Sequence, residues 1–353
     1  MRASIRSHAV LNAILCASMM VAPIPAAQAC TRILWNDNKL ATVVGRTMDW
    51  PESTQPVLTA FPRGMKRDGG RLGPQSVVAE NPARWTSKHG SVVTTIYGVG
   101  TADGVNETGF AIHMLYLNAT DFGPRDTSKL GVHAGLWGQY LLDNAASVGE
   151  ALELMKGIQP VMVAVHGVKA TVHLAIEDAA GESAIIEYIG GKPLVHHGRQ
   201  YRVMTNDPTY DEQLANLARY DFTNATRQTP LPGNVDPRDR FVRSAYYLQM
   251  LPEPRSEREA IAGILAIARN ASVPFGAPNN APGTLYNTEY RTAIDLTNRR
   301  YFFELTTTPN VIWMDLAKFN FQPGAPVMIL DPDNIELAGN VSGKFMAARN
   351  TPF

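Results

Sequence analysis

Alternating runs of apolar and polar residues predict a chain built mainly from β-hairpins. Near the start, apolar runs over residues 33–35 and 41–44 flank a polar turn over 36–39, and the runs over 170–177 and 184–188 flank a second turn. This arrangement is typical of two hairpins. Further strands are predicted over residues 91–97, 109–117, 192–195, 202–204, 291–296, 300–306 and 311–316.

Helical periodicity fills the intervals between these strands. Capping boxes that open at Ser147 and Ser256 predict helices ending near residues 156 and 269. Other helices are predicted around Tyr140 and over 211–218 and 239–251. Many hairpins with few βαβ units predict an α+β fold with two stacked, mainly antiparallel sheets between helix layers. No segment marks a domain boundary, so residues 30–353 are predicted to form a single domain.

The first 29 residues depart from this pattern. Arg2 and Arg6 precede an apolar run over residues 9–22, and Ala27 and Ala29 provide small residues before a cleavage point. This pattern predicts a secretory signal peptide over residues 1–29. The apolar run is too short for a membrane span, and no other segment approaches one.

Composition and charge exclude several classes of function. The chain has 353 residues, is 45% hydrophobic, and has 32 basic and 32 acidic side chains without a long basic run, which argues against a nucleic-acid partner. Metalloprotease, CxxC, GxSxG and P-loop motifs are absent. His196 and His197 are adjacent and cannot face one metal from a straight strand. His113 and His133 are predicted to be packed or hydrogen-bonded, and neither a metal nor a cofactor is predicted.

Cys30 directly follows the predicted cleavage point. Cys16 departs with the signal peptide, so Cys30 has no cysteine partner within the chain. Three interpretations are open: a buried structural cysteine, a lipidated anchor and an N-terminal nucleophile. Ala27 and Gln28 do not fit a lipidation motif well. In the third interpretation the α-amine, with a pKa of roughly 7.7–8.0, accepts the proton of the thiol, with a pKa of about 8.5. Cleavage is then required, because an amide nitrogen is not a base.

Two charged residues on the first hairpin are candidates to assist Cys30. Arg46 would stabilise the thiolate, since thiolates need nearby positive charge, and Asp49 would orient the α-amine. Positions three apart point to opposite faces of a straight strand. We therefore expect the strand to bend or bulge, with Gly45 as the expected place. The alternative is that Arg46 and Asp49 form a surface ion pair.

Five motifs in order make the sequence resemble the choloylglycine hydrolase family, which includes conjugated bile acid hydrolases and penicillin V acylases. The resemblance spans nearly all of residues 30–353, and residues 270–275 with the closing strands are most similar to the periplasmic penicillin V acylases of Gram-negative bacteria. The motifs are Cys30-Thr31-Arg32, Gly45-Arg46-Thr47-Met48-Asp49-Trp50, Asp103-Gly104-Val105-Asn106-Glu107-x-Gly109, Val203-Met204-Thr205-Asn206-Asp207-Pro208-Thr209-Tyr210-Asp211, and Leu231-Pro232-Gly233 followed by Asp239-Arg240-Phe241-Val242-Arg243.

The resemblance implies an αββα N-terminal nucleophile hydrolase that needs no metal or cofactor, is periplasmic and assembles as a homotetramer. It implies that Cys30 is the nucleophile and its amine the base, with Arg46 and Asp49 in the active site. The Asn206 side chain and the Tyr116 backbone N–H would bind the oxyanion. Arg240 would support the site.

The expected substrate is a small amide with an apolar or aromatic acyl group. Met48, Trp50, Leu115 and Tyr116 are the candidate acyl-binding residues; simple core packing is the alternative. Tyr116 falls where bile-salt-cleaving members usually carry Asn and penicillin acylases an aromatic residue. The resemblance therefore favours hydrolysis of penicillin V. N-acyl homoserine lactone deacylation and conjugated bile salt hydrolysis are alternatives, and a lipid-anchored binding protein is the alternative from another class.

Overall fold

The computed structural model describes residues 30–278 and 285–353, so the predicted signal peptide lies outside the described residues. The strands are β1 (Thr31–Trp35), β2 (Val43–Trp50), β3 (Val57–Phe61), β4 (Lys66–Asp68), β5 (Arg71–Leu72), β6 (Gln75–Ser76), β7 (Arg84–Thr86), β8 (Ser91–Ile96), β9 (Gly100–Asn106), β10 (Ala111–Tyr116), β11 (Leu130–His133), β12 (Ile158–Val161), β13 (Ala164–Val165), β14 (Val168–Lys169), β15 (Val172–Glu177), β16 (Ser183–Ile189), β17 (Lys192–His197), β18 (Val203–Met204), β19 (Ala277–Pro278), β20 (Leu285–Asp295), β21 (Arg300–Leu305), β22 (Ile312–Asp315), β23 (Met328–Leu330), β24 (Gly339–Asn340) and β25 (Met346–Ala347).

Five α-helices and two short 3-10 turns lie in the described ranges. They are α1 (Ala134–Asn144), α2 (Val148–Met155), α3 (Tyr210–Leu217), α4 (Pro237–Met250) and α5 (Glu257–Ala271), with 3-10 turns at Leu316–Lys318 and Ser342–Lys344. Both predicted capping serines are confirmed, since Ser147 accepts from the Glu150 N–H and Ser256 from the Glu259 N–H. These caps satisfy backbone donors that the first helical turn leaves unpaired.

The longer strands form two sheets. The eight-stranded sheet has the order β18-β1-β2-β20-β21-β22-β24, with β19 also paired to β20, and the nine-stranded sheet has the order β17-β16-β15-β10-β9-β8-β3-β23-β25. Within these two sheets, pairing is antiparallel except between β22 and β24. α5 packs on β2 and β20, and α1 packs on β9 and β10. This layering confirms the predicted αββα arrangement.

Buried polar contacts also cross between the two sheets. Arg32 of β1 forms an ion pair with Glu177 of β15, and the Thr292 hydroxyl of β20 donates to Asp103 of β9 at 2.6 Å. His113 lies between the two carboxylates, 3.2 Å from Asp103 and 2.5 Å from Glu177, although neither ring nitrogen makes an aligned hydrogen bond. Such buried charges are costly unless paired, so they restrict how the sheets can stack.

The fold also places the histidines that the sequence analysis singled out. His113 is packed as predicted, and His133 is fully buried. The adjacent His196 and His197 lie 2.8 Å from Asp211 and 3.4 Å from Glu182. Across residues 30–278 and 285–353, no helix has the length and apolar character needed to cross a bilayer.

The predicted bend at Gly45 is wrong. Gly45 pairs regularly with Ile33 on one side and Ala293 on the other. The register shift in β2 instead lies between Met48 and Asp49, opposite an extra residue on β20. A Cβ atom on Gly45 would lie 2.4 Å from Ile264 Cγ2 of α5. Glycine is therefore needed at this position because α5 packs directly on the backbone of β2.

We expect Gly45→Ala to lower the free energy of unfolding by about 1–3 kcal/mol, because the new methyl group overpacks the helix–sheet contact. Gly343→Ala is the matched control, since no atom lies within 4 Å of its added Cβ; its effect should stay within about 0.5 kcal/mol. Equilibrium urea denaturation measures both. In a cycle with Ile264→Ala, additive effects of the two substitutions would contradict the proposed contact.

Candidate active site

Cys30 is buried at the start of β1, with 2% of its surface exposed. Its Sγ lies 3.7 Å from Arg46 Nη2, 3.8 Å from Met48 Sδ and 3.9 Å from the Asp49 carbonyl oxygen. Burial raises the pKa of the Cys30 thiol, and the positive charge of Arg46 acts against that shift. Burial thus disfavours the thiolate, and Arg46 is the neighbouring charge that most favours it.

Arg46 is held rigidly beside the thiol. Its side chain is fully buried, and Nη1 donates to the Ala102 carbonyl of β9 at 2.7 Å. The second nitrogen, Nη2, contacts both Cys30 and Met48 Sδ. Burial of Arg46 and Asp49 shows that the alternative of a surface ion pair is wrong.

Arg46 and Asp49 lie on opposite faces of β2. Thr47 Oγ1 donates to Asp49 Oδ2 at 2.9 Å, which places residues 47 and 49 on one face and residues 46 and 48 on the other. Cys30 reaches both faces because it lies at the strand's start: its thiol meets Arg46, while its carbonyl accepts from Arg240 at 2.8 Å. The two side chains therefore do not turn to the same face, and in the described residues the Asp49 carboxylate makes no hydrogen bond to Cys30.

The Asp49 carboxylate is surrounded by donors. It accepts from the hydroxyls of Thr47 and Thr288, and Oδ2 lies 3.8 Å from Arg240 Nη1. Burial raises the pKa of the Asp49 carboxyl to about 6, against the opposing charge of Arg240. The Asp49 carboxyl therefore keeps its proton to a higher pH than an exposed aspartate does.

The backbone nitrogen of Cys30 donates to Asn206 Oδ1. Within the described ranges it makes no hydrogen bond to the Asp49 carboxylate, which is where the sequence placed its partner. Asn206 follows β18, and β18 pairs with β1 through Met204 and Arg32. This pairing carries the Asn206 amide to the start of β1.

Asn206 and Tyr116, the two predicted oxyanion donors, lie together. Asn206 Nδ2 donates to the Tyr116 carbonyl at 2.6 Å. The Leu117 N–H donates to the Thr171 carbonyl in the ladder that continues β10 and β15. Backbone groups alternate in direction along a strand, so the N–H and C=O of Tyr116 point away from that ladder, toward Asn206.

Arg240 connects these groups from α4. Its guanidinium donates to the carbonyls of Val235 and Cys30, to the Thr31 hydroxyl and to Asn206 Oδ1. Two donors, Cys30 and Arg240, therefore meet at one oxygen of Asn206 and determine which way its amide faces.

A largely apolar pocket opens above the thiol. All four predicted acyl-binding residues line it, and the rings of Trp50 and Tyr116 meet edge to face with centroids 6.0 Å apart. The sequence analysis did not identify most of the other residues that line the pocket, because they come from strands distant in the sequence and from the β13–β14 hairpin. These additional lining residues include Ile96, Val99, Met114, Val163, Val172 and Lys169.

Sequence reasoning also missed Thr47 and Thr288, which bind Asp49. Thr47 lies within the β2 motif, but threonine is common in strands, so its type alone carries no signal. Thr288 lies opposite Asp49 on β20, far away in the sequence. Only the pairing of β2 with β20 could have identified it.

Comparisons with known proteins agree with this geometry. Residues 30–334 match the family model of linear amide C–N hydrolases, choloylglycine hydrolase family. A penicillin V acylase of Pectobacterium atrosepticum is 35% identical, with 92% of each chain covered. The structure of a penicillin V acylase from Agrobacterium tumefaciens is 37% identical with a TM-score of 0.80, covering 91% of this chain and 98% of the other.

A conjugated bile acid hydrolase from Clostridium perfringens shares the fold alone, at 21% identity with a TM-score of 0.73, covering 91% of this chain and 100% of the other. The αββα layers are thus those of the N-terminal nucleophile hydrolases. The family match extends over most of the chain and includes the Cys30 site and the pocket above it. The chain therefore belongs to the choloylglycine hydrolase family and is an amidohydrolase that acts on linear amides.

Proposed function

We propose that this enzyme cleaves penicillin V into phenoxyacetate and 6-aminopenicillanate, with Cys30 as nucleophile. One observation carries the proposal: the buried thiol, beside Arg46, lies at an apolar pocket with Trp50 and Tyr116 in its wall. An aryloxyacetyl group is apolar and flat, so it suits an aromatic wall. The two similar penicillin V acylases support this choice of substrate.

Each side chain has a defined task in the proposed reaction. The Cys30 amine, freed by cleavage, accepts the thiol proton, and the thiolate attacks the amide carbonyl. Arg46 stabilises the thiolate. The Asn206 amide and the Tyr116 N–H bind the oxyanion, where one donor is worth about 3–4 kcal/mol. The amine then protonates the leaving nitrogen, and water, activated by the same amine, hydrolyses the thioester.

The proposal includes export and cleavage after Ala29 by a signal peptidase, with the mature enzyme in the periplasm. Two features of Cys30 argue against the lipid-anchor alternative: the thiol is 2% exposed, and it contacts Arg46 rather than facing outward. We also propose a homotetramer, which light scattering of the purified enzyme would measure.

Deacylation of N-acyl homoserine lactones is the second candidate, because the pocket wall also contains aliphatic side chains, among them Ile96, Val163 and Val172. An acyl chain is apolar along its whole length and would bury favourably against them. Conjugated bile salt hydrolysis is less favoured, because the Tyr116 ring packs against Trp50 at the pocket wall.

Mass spectrometry of the mature protein should show an unmodified chain that begins at Cys30. Cys30→Ser should then lower kcat for penicillin V by at least about 100-fold, since a serine hydroxyl is far less acidic than a thiol. Reaction of intact protein with iodoacetamide should label Cys30 and abolish activity. A lipid adduct on Cys30, or full activity of the serine variant, would contradict the nucleophile assignment.

Rates on three substrates separate the candidate activities. We expect kcat/KM for penicillin V to exceed that for glycocholate by at least about 100-fold, because lost aromatic contacts and poor shape fit together cost a few kcal/mol. Long-chain acyl homoserine lactones form the third arm. Tyr116→Asn should lower the ratio of kcat/KM for penicillin V to kcat/KM for glycocholate. Tyr97→Phe, which alters another aromatic residue of the pocket wall, is the control. A higher kcat/KM for the lactone or for glycocholate would replace the proposed substrate.

Asp49→Asn should change the pH dependence of stability and lower the activity. A carboxyl whose pKa is raised to about 6 on folding adds stability below its unfolded pKa, and that stability is lost as the pH rises through about 6. Wild type should therefore lose stability relative to Asp49→Asn between about pH 4 and pH 7, as measured by thermal melts. The variant should be at least about 10-fold less active, because its amide cannot form the ion pair with Arg240. Parallel stability curves for the two proteins would contradict the raised pKa.

A further inference from the structure

Asp207, the residue after Asn206, makes a contact that the proposed mechanism does not use. Its carboxylate accepts from the backbone N–H of Asn118, with N···O distances of 3.1 and 3.2 Å. Asn118 lies two residues beyond Tyr116, just after β10. The Asp207 side chain therefore reaches from the segment that carries one oxyanion donor to the segment that carries the other.

These two segments belong to different sheets. Tyr116 ends β10 in the nine-stranded sheet, while Asn206 follows β18 in the eight-stranded sheet. No strand ladder joins β10 to β18 in the described parts of the chain. Side-chain bonds across the gap therefore help to fix the spacing of the two donors. The bond from Asn206 Nδ2 to the Tyr116 carbonyl and the Asp207 contact are the two that reach the segment around Tyr116, while the Tyr210 N–H donates to Glu187 of β16 further along.

The Asp207 contact differs from the Asn206 bond in that its acceptor is a carboxylate. A hydrogen bond to a carboxylate is roughly twice as strong as one between neutral groups. Burial raises the pKa of the Asp207 carboxyl, and the Asn118 bond and the charge of nearby His173 act in the opposite direction. On the Tyr116 side, the phenol hydroxyl and the Asn118 side-chain oxygen lie 2.9 Å apart, so the bound segment is also braced internally.

We propose that Asp207 is a positioning residue that fixes the Tyr116 N–H relative to the Asn206 amide, so that both donors meet one oxyanion. The inference rests on the proposed function for the roles of Asn206 and Tyr116. It assigns Asp207 no contact with substrate. It predicts an effect on the rate of acyl transfer and none on the reactivity of the thiol itself.

The test compares Asp207→Ala, Asp207→Asn and wild type. Asp207→Ala should lower kcat for penicillin V by about 10–100-fold with KM changed less than about twofold, because misplaced donors weaken transition-state binding. Asp207→Asn keeps one acceptor oxygen and should recover part of the loss. Alkylation of Cys30 by iodoacetamide forms no oxyanion, so its rate should match wild type in both variants.

Asp121→Ala is the matched control. The Asp121 carboxylate also accepts from a backbone N–H, that of Gly123 at 2.8 Å, but the backbone groups of Asp121 bond to Tyr188 and Gly191 and not to the segment that carries Asn206. This variant should keep wild-type kcat. Unchanged kcat in Asp207→Ala would overturn the proposal. Equal losses of kcat and of alkylation rate, with no recovery in Asp207→Asn, would also overturn it, since they indicate a purely structural role.

A second substrate separates this inference from the proposed function. p-Nitrophenyl phenylacetate acylates a nucleophilic cysteine through the same type of oxyanion and releases p-nitrophenolate as a measurable burst. If wild type shows the burst but no penicillin V hydrolysis, the proposed substrate is wrong, and the burst rate then replaces kcat in the comparison. A burst rate equal to wild type in Asp207→Ala would overturn the positioning role.

Discussion

The site depends on the hydrogen bonds that the buried guanidinium of Arg240 donates. The guanidinium binds the Cys30 carbonyl, the Thr31 hydroxyl and Asn206 Oδ1, and lies 3.8 Å from Asp49. A fully buried cation is unfavourable unless its donors are satisfied, so this charge requires all of these oxygens to converge on it. Cys30, the proposed nucleophile, and Asn206, a proposed oxyanion donor, are therefore both positioned by the need to satisfy the buried charge of Arg240. Asp49 is the nearest carboxylate to it, at the limit of an ion-pair distance.

Each of the two sheets supplies part of the site. The eight-stranded sheet and the loop after β18 supply Cys30, Arg46, Asp49 and Asn206, while the nine-stranded sheet supplies Tyr116 and the Ala102 carbonyl that orients Arg46. A shift of one sheet over the other would separate Arg46 from Ala102. The buried charges that link the sheets, chiefly Arg32 with Glu177, oppose such a shift because unpaired buried charges cost several kcal/mol. Stacking of the sheets thus determines the geometry of the site.

Local patterns in the sequence predicted the layer arrangement and many of the elements, but not strands β3, β9 and β23 of the nine-stranded sheet. Hairpins and capping boxes depend on neighbouring residues, so β1, β2, α2 and α5 were predictable, and the family motifs named residues that the fold does bring together. The errors came from contacts between distant segments. Gly45 looked like a bend but accommodates Ile264 of α5. Asp49 looked like the partner of the Cys30 nitrogen, but β18 places Asn206 there. The catalytic roles themselves stay predictions.

The contact between Cys30 and Asn206 also bears on how cleavage would create a base. In the uncleaved chain the Cys30 nitrogen is an amide, whose one hydrogen points at Asn206 Oδ1. A released amine could keep that hydrogen bond and still carry a lone pair, because it has two hydrogens when neutral. Asn206 would then orient the amine, and the lone pair would be free to take the thiol proton. Cleavage on this account changes the chemistry of one nitrogen without rearranging the residues around it. The Asn206 amide would serve the base through its oxygen and the oxyanion through its nitrogen.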